Sequence, residues 1–320
     1  MLKLSKKDWK VLFELEKDAH QSVQGIAKRV GLSKQLVSYM LKKYEDQGII
    51  LAYTAVIDSS RLGYYTYRVY LKLRELNLKD KMEDFLNFLV KIPETTIVNE
   101  LDGSWDVGLT ISVTNVFDFY TVWERIMAYR SFIEDYKISV YSPIYHFTRK
   151  IIVPEIHKSE NQVRILGSNL KVEHSPDDVK ILKVLAKNVR QPIIEIADKV
   201  KRSVPFVIKR IKFMEKSGII QGYRPLFNWS LLGYQYYKID LNLNSHKRNE
   251  ELFSYCENNK NVIQVNKTIG GSDFEFEVYV QSKEELDKLM VEVKEKFSNV
   301  LINYSHFTVS RPYKETFMAF

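Results

Sequence analysis

A chain of 320 residues, 45% hydrophobic and 28% charged, has the composition of an ordinary folded protein with room for two or more domains. Its 48 Lys and Arg against 40 Asp and Glu leave a net charge of +8, which favours a polyanionic partner only weakly. The lone Cys256 excludes a disulfide framework or a thiolate metal cluster; the first residues lack the apolar run of a signal peptide and no eighteen apolar residues follow one another, so a reducing cytoplasm is expected.

Residues 1–60 read as a winged helix-turn-helix. Ser5-Lys-Lys-Asp8 predicts a capping box opening a first helix, along which Val11, Leu12 and Leu15 recur at helical spacing. A second short helix carries Ile26, Ala27 and Val30, and the turn Gly31-Leu32-Ser33 leads into a third, with Ser33 as its N-cap. On the third helix Leu36, Val37, Met40, Leu41 and Tyr44 are expected to point one way, and Lys34, Gln35, Ser38, Tyr39 and Lys42 the other. Gly48 stops it, and Ile49 to Tyr53 reads as a strand. A polar outward face suits DNA reading, because a major groove admits one helix whose outward side chains meet base edges.

Residues 61–150 read as a ferredoxin-like effector and dimerisation domain. Strands are expected at Thr66 to Leu73, Thr95 to Leu101, Val107 to Val113 and Tyr136 to Tyr141, with helices at Asp80 to Val90 and Val116 to Met127. That order, βαββαβ, gives an antiparallel sheet with helices on one face. The bare face is expected to expose Tyr65, Tyr67, Tyr70, Tyr236 and Tyr237, and packing two such sheets together would keep them dry. Residues 151–174 show no clear periodicity and read as a linker.

From Ser175 the pattern starts again. Asp8, Leu12, Ile26, Val37, Gly48, Tyr53, Gly63 and Tyr67 return as Asp178, Leu182, Ile196, Val207, Gly218, Tyr223, Gly233 and Tyr237, each 170 positions later and without a gap. A period this long is a duplicated two-domain module, not a solenoid repeat. Residues 175–229 are therefore a second winged helix-turn-helix and 230–320 a second ferredoxin-like domain, an α+β fold in two copies. The second domain's elements are expected at Tyr237 to Leu243, Glu250 to Asn258, Val262 to Ile269, Phe274 to Val280, Lys283 to Phe297 and Leu301 to Val309.

Glycine loops for phosphate, a nucleophile elbow and paired metal ligands are all missing from the sequence. His20, His146, His157, His174, His246 and His306 are scattered, and Cys256 reads as a small apolar residue. No catalysis, cofactor or metal is expected.

A winged helix-turn-helix followed by a βαββαβ domain with a Gly-x-x-Asp turn resembles the Lrp/AsnC family of transcription regulators. Ala27-Lys-Arg-Val30-Gly31-Leu-Ser33, then Val37 and Glu45-Asp-Gln-Gly48-Ile-Ile50, is similar to the family's DNA-binding signature, and Leu62-Gly63-Tyr64 to its entry into the effector domain. The resemblance implies pairing of the two effector domains, further homo-oligomers in many members, and an amino-acid effector near the turns. Gly103 and Asp106, with Gly270 and Asp273, are then the candidate effector residues. Members often carry two basic residues after the recognition-helix valine; the second copy has Lys209 and Arg210, the first Tyr39 and Met40. The second copy also has Lys201-Arg202 in its turn, where the first keeps Gly31.

The reading that follows is a sequence-specific DNA-binding regulator, a dimer within one chain, modulated by a small molecule such as an amino acid. Candidate contacts to double-stranded DNA are Ser33, Lys34, Gln35, Ser38, Tyr39 and Lys42 in the first head. Those in the second are Lys201, Arg202, Ser203, Lys209, Arg210 and Lys212. The alternatives are an architectural DNA-binding protein of weak specificity, or an enzyme resembling siroheme decarboxylases. The latter chemistry needs His and Arg around a tetrapyrrole carboxylate, and the stretches Leu62 to Tyr67 and Leu232 to Tyr237 hold no His.

Overall fold

The computed structural model describes residues 4–74, 79–152, 162–167 and 170–316; His157 lies outside them. α1 (Lys6–Lys17) opens at the expected capping box, with Ser5 and Asp8 bonding each other's backbone amides. α2 (Val23–Val30) ends at Gly31, left-handed at φ 69°, and α3 (Lys34–Asp46) starts where the Ser33 hydroxyl accepts from the Leu36 amide. β1 (Ile50–Ile57) and a 3-10 turn at Ser59–Leu62 lead to β2 (Tyr65–Leu73), α4 (Lys79–Lys91), β3 (Thr95–Gly103), β4 (Val107–Val113), α5 (Val116–Met127) and β5 (Ile133–Phe147). After a short 3-10 turn at Lys150–Ile152 comes β6 (Val163–Leu166). The second copy supplies α6 (Pro176–Leu185), α7 (Ile193–Val200), α8 (Val204–Lys216), β7 (Ile220–Phe227), β8 (Gln235–Leu243), α9 (Asn249–Asn258), β9 (Val262–Ile269), β10 (Phe274–Val280), α10 (Lys283–Lys296) and β11 (Leu301–Glu315). Among the described residues no helix is long and apolar enough to cross a membrane.

The two heads are one body. β1 does not fold back into a hairpin of its own head; it pairs antiparallel with β7 of the other. Thr54 lies opposite Arg224, its own repeat equivalent, so a pseudo-two-fold axis passes between them. Apolar side chains of both heads form a single core, from Val11, Leu12 and Ile26 to Leu182, Ile196 and Val207. The stretch read as a linker contributes too: Ile151 and Ile152 bury in that core, and β6 adds to β5. β6 is inverted in pattern, with Val163 and Ile165 exposed and Arg164 buried, so periodicity gives no sign of it.

The two ferredoxin-like sheets do not stack face to face. They join edge to edge into a closed barrel of eight strands, in the order β2-β4-β3-β11-β8-β10-β9-β5 and back to β2. The last strand of each copy makes both seams. The first part of β5 pairs with β2 and its later part with β9 of the other copy; β11 pairs likewise with β8 and then β3. This explains why both run longer than Tyr136 to Tyr141 and Leu301 to Val309. Closure leaves no sheet edge unpaired along these strands.

The helices pack outside in two separate cores. Strand alternation then sorts the aromatics. Tyr67 belongs to the outer core, Tyr237 packs against the other, and Tyr65 is exposed, so of the five tyrosines only Tyr70 and Tyr236 are left for the inner face. The inner face is polar as well as aromatic, holding Arg68, Lys238, Asp240, Glu275 and Glu277 buried.

Candidate nucleic-acid interface and effector turns

The third helix of each head presents its expected face. Ser33, Lys34, Gln35, Ser38, Tyr39 and Lys42 are all exposed on or beside α3, while Val37, Met40, Leu41 and Tyr44 are buried. Leu36 departs from the expectation and is 39% exposed, beside the polar residues. In the second head Lys201, Arg202, Ser203, Lys209 and Lys212 are exposed. Lys201 takes the place of Gly31 as helix C-cap in the left-handed conformation, φ 56°, a position that costs a non-glycine residue on the order of 1 kcal/mol. Its side chain is thereby set at the turn before α8.

Both candidate arginines are already engaged. Arg202 forms an exposed pair with Asp177 at 2.8 Å. Arg210 is half-buried and grips Asp178 through two bonds, Nε to Oδ1 and a terminal nitrogen to Oδ2, both 2.6 Å. Burial pushes the Asp178 carboxyl up, but the Arg210 and Ser175 bonds outweigh it and hold it below the usual carboxylate range. The first head solves the same problem differently: its equivalent carboxylate, Asp8, accepts from the Tyr44 hydroxyl at 2.8 Å. The repeat places Met214 at the position of Tyr44 and Arg210 at that of Met40, so the donor has moved one helical turn along the helix. Arg210 is thus a partner of the head's interior, not a cation free on its surface.

A consequence is that the two basic neighbours should separate in experiment. Lys209→Ala is expected to weaken DNA binding several-fold and leave thermal stability unchanged. Arg210→Ala is expected to lower stability by about 2–3 kcal/mol, because it leaves Asp178 buried and unpaired. Arg210→Met with Met214→Tyr, the first head's solution, should restore most of it. Chemical denaturation beside DNA titration checks all three.

The Gly-x-x-Asp turns lie on the seams between copies. Gly103 (φ 128°) presses on β11, where a Cβ would sit 2.6 Å from the His306 carbonyl oxygen; at Gly270 (φ 80°) it would sit 2.8 Å from that of Ile138 on β5. Asp106 accepts from the Leu73 amide at 2.7 Å and from Lys72 at 2.8 Å. Asp273 accepts from the Leu243 amide, also at 2.7 Å, with His246 at 3.4 Å. Both carboxylates therefore tie the end of an inner strand to its turn.

Sequence reasoning missed the charges inside the barrel. Arg68 and Lys238 are repeat equivalents, and both converge on Glu275. Lys238 also pairs with Asp240, and Arg68 donates to the Tyr141 hydroxyl at 2.9 Å. Burial raises the Glu275 carboxyl, but Lys238 and Arg68 overcome it and bring it down to about 2. Glu277, which accepts from Asn266 and Gln264, is instead pushed up, burial dominating. The available signal was two cations at equivalent inner positions of β2 and β8.

The family model described as winged helix-turn-helix DNA-binding matches residues 4–50 and 178–221. The chain is 30% identical over 110 residues to the proline dehydrogenase transcriptional activator of Rhizobium radiobacter, 34% of this chain and 70% of that protein. An uncharacterized HTH-type transcriptional regulator of Pyrococcus horikoshii is 26% identical over 136 residues, 42% of this chain and 85% of that protein. Each match has about the length of one module. Over the whole chain the fold resembles the crystal structure of the siroheme decarboxylase NirDL, with a TM-score of 0.65 at 16% identity, covering 97% of this chain and 93% of that one. At that identity the likeness is one of fold. Two winged helix-turn-helix regions, each followed by a βαββαβ unit, and relatives that span one such module leave one assignment: the chain belongs to the Lrp/AsnC family and carries two of its modules in tandem.

Proposed function

We propose that the chain is a sequence-specific DNA-binding transcription regulator that works as a single-chain pseudo-dimer. The observation that carries this reading is the exposure of two different recognition helices on heads that share one core. A shared core presets the distance between the heads, as binding to two neighbouring major grooves requires. Because α3 offers Gln35, Ser38 and Tyr39 where α8 offers Pro205, Ile208 and Lys209, the two half-sites should differ. An amino-acid effector at the seam turns is part of the proposal, resting on the family resemblance.

Selection of sites from random duplex DNA tests it. An asymmetric consensus preferred by several kcal/mol over random sequence is expected. A strictly palindromic consensus would contradict two divergent heads, and salt-sensitive binding without a consensus would favour an architectural role.

We also take the chain not to be an enzyme. The full-length fold likeness to a siroheme decarboxylase motivates the opposite reading, and the iron-uroporphyrin III analogue bound by that enzyme supplies the probe. Titration of this protein with the analogue should leave its absorption spectrum unchanged; stoichiometric binding would favour the enzyme.

A further inference from the structure

A second charged cluster sits where the double head meets the barrel. Glu16 on α1 is fully buried. Arg149, just past β5, donates to it at 2.9 Å, and Arg224 on β7 approaches it to 3.3 Å without the geometry of a hydrogen bond. Arg164 on β6 is held beside them by the Lys17 carbonyl at 3.0 Å and the Gln162 side chain at 3.4 Å. It packs so closely on β7 that a Cβ at Gly222 would lie 2.8 Å from its Nε. His146 on β5 lies in reach of all three guanidiniums, and burial together with their charge holds it well below the usual histidine range, hence neutral.

Two guanidiniums thus share one buried carboxylate, and the third, Arg164, lies near enough to feel its charge without pairing with it. Asp18 and Glu315 act on Arg164 and Arg149 from farther away, and neither forms an ion pair with them among the described residues. The Nε atoms of Arg149 and Arg224 are buried with no hydrogen-bond partner. Burial, and then repulsion from Arg149, push Arg224 down to about 9. Uncompensated buried cations are costly, and a fold does not accumulate them without a counter-charge.

The fold itself does not demand this arrangement. The repeat places Ala186 at the position of Glu16 and Thr54 at that of Arg224, so these two charges are confined to one of two equivalent junctions.

We infer that this cluster is a binding site for a small oxyanion, a carboxylate or a phosphate, whose oxygens accept from the Nε–H groups of Arg149 and Arg224, neither of which makes a hydrogen bond among the described residues. Guanidinium forks match both oxyanions, and charge-assisted bonds of this kind are the strong ones. A bound anion would join α1 of the first head, β7 of the second and the β5–β6 corner of the barrel. The inference is independent of DNA reading.

Thermal unfolding of the full chain tests it, with inorganic phosphate in one arm, acetate in another, and chloride at matched ionic strength as control. A saturable rise in Tm is expected in at least one oxyanion arm, and the arm saturating at the lower concentration identifies the source. Arg224→Thr copies the other junction and leaves Arg149 paired with Glu16. It should keep or raise the ligand-free Tm and abolish the oxyanion-dependent rise. Arg164→Gln, which does not contact Glu16, should weaken the response with the fold intact. Equal shifts in chloride and oxyanion, a response that survives Arg224→Thr, or a lower ligand-free Tm in that variant would each overturn the site and leave a structural ion pair.

Discussion

Glu275→Gln is expected to destabilise the protein by about 3–5 kcal/mol, the cost of stranding buried charge. Arg68, Lys238 and Glu275 are buried together inside the barrel, and Asp240 is close by. With Glu275 ionised the two cations face two carboxylates; with glutamine they face one. Lys238 retains Asp240, so the loss falls on Arg68, whose Nε already has no partner. The amide is close in size to the carboxylate, so a large effect would report charge and not packing. Acid supplies an independent check. The Glu275 carboxyl titrates at about 2 against an ordinary 4.5, so its contribution is fully present above 4.5 and is lost as pH falls from there towards about 2. In Glu275→Gln that part of the acid sensitivity should vanish. A variant as stable as the parent at neutral pH, with the parent's acid profile, would show that Glu275 does not hold the barrel together.

This arrangement also requires two non-identical copies. Glu275 neutralises Arg68 of one copy and its equivalent Lys238 of the other, a role a strictly symmetric dimer would have to assign twice. In the first copy the residue facing Tyr70 across the β2–β4 pair is Gly108, close against the Tyr70 ring and with no carboxylate to offer. Divergence of the two copies lets one residue inside the barrel serve both halves.

Replacing Lys34, Lys42, Lys209 and Lys212 together by Ala is expected to lower DNA affinity by two or more orders of magnitude at about 100 mM salt. All four are exposed, and among the described residues none is held in an ion pair, unlike Arg202 and Arg210. Each phosphate contact removed should reduce the slope of log K against log salt by about 1. Thermal stability should not change, since the four side chains are solvated. A variant with unaltered affinity and slope would remove α3 and α8 from the interface and direct attention to other basic surfaces.

What the sequence determined by itself is local. Ser5 with Asp8, and Ser175 with Asp178, define helix starts because a capping box needs only residues three apart. Val116 to Met127 and Phe274 to Val280 coincide with α5 and β10 because apolar period and flanking turn signals sit within one window. The outward face of α3 was legible for the same reason, and the duplication followed from counting. Which segment meets which across long separations is set by the tertiary fold. Nothing local tells Thr54 that its partner is Arg224, 170 residues away, or tells β5 to leave β2 for β9. Strand alternation assigns a residue to one of two faces but not the face to core or barrel, which is why Tyr67 and Tyr70 had to be separated by the fold. Buried charge is not legible locally: Arg68, Glu275 and Arg210 look like surface residues until their partners are in place, because the compensating charge is supplied by distant chain and not by neighbours in sequence.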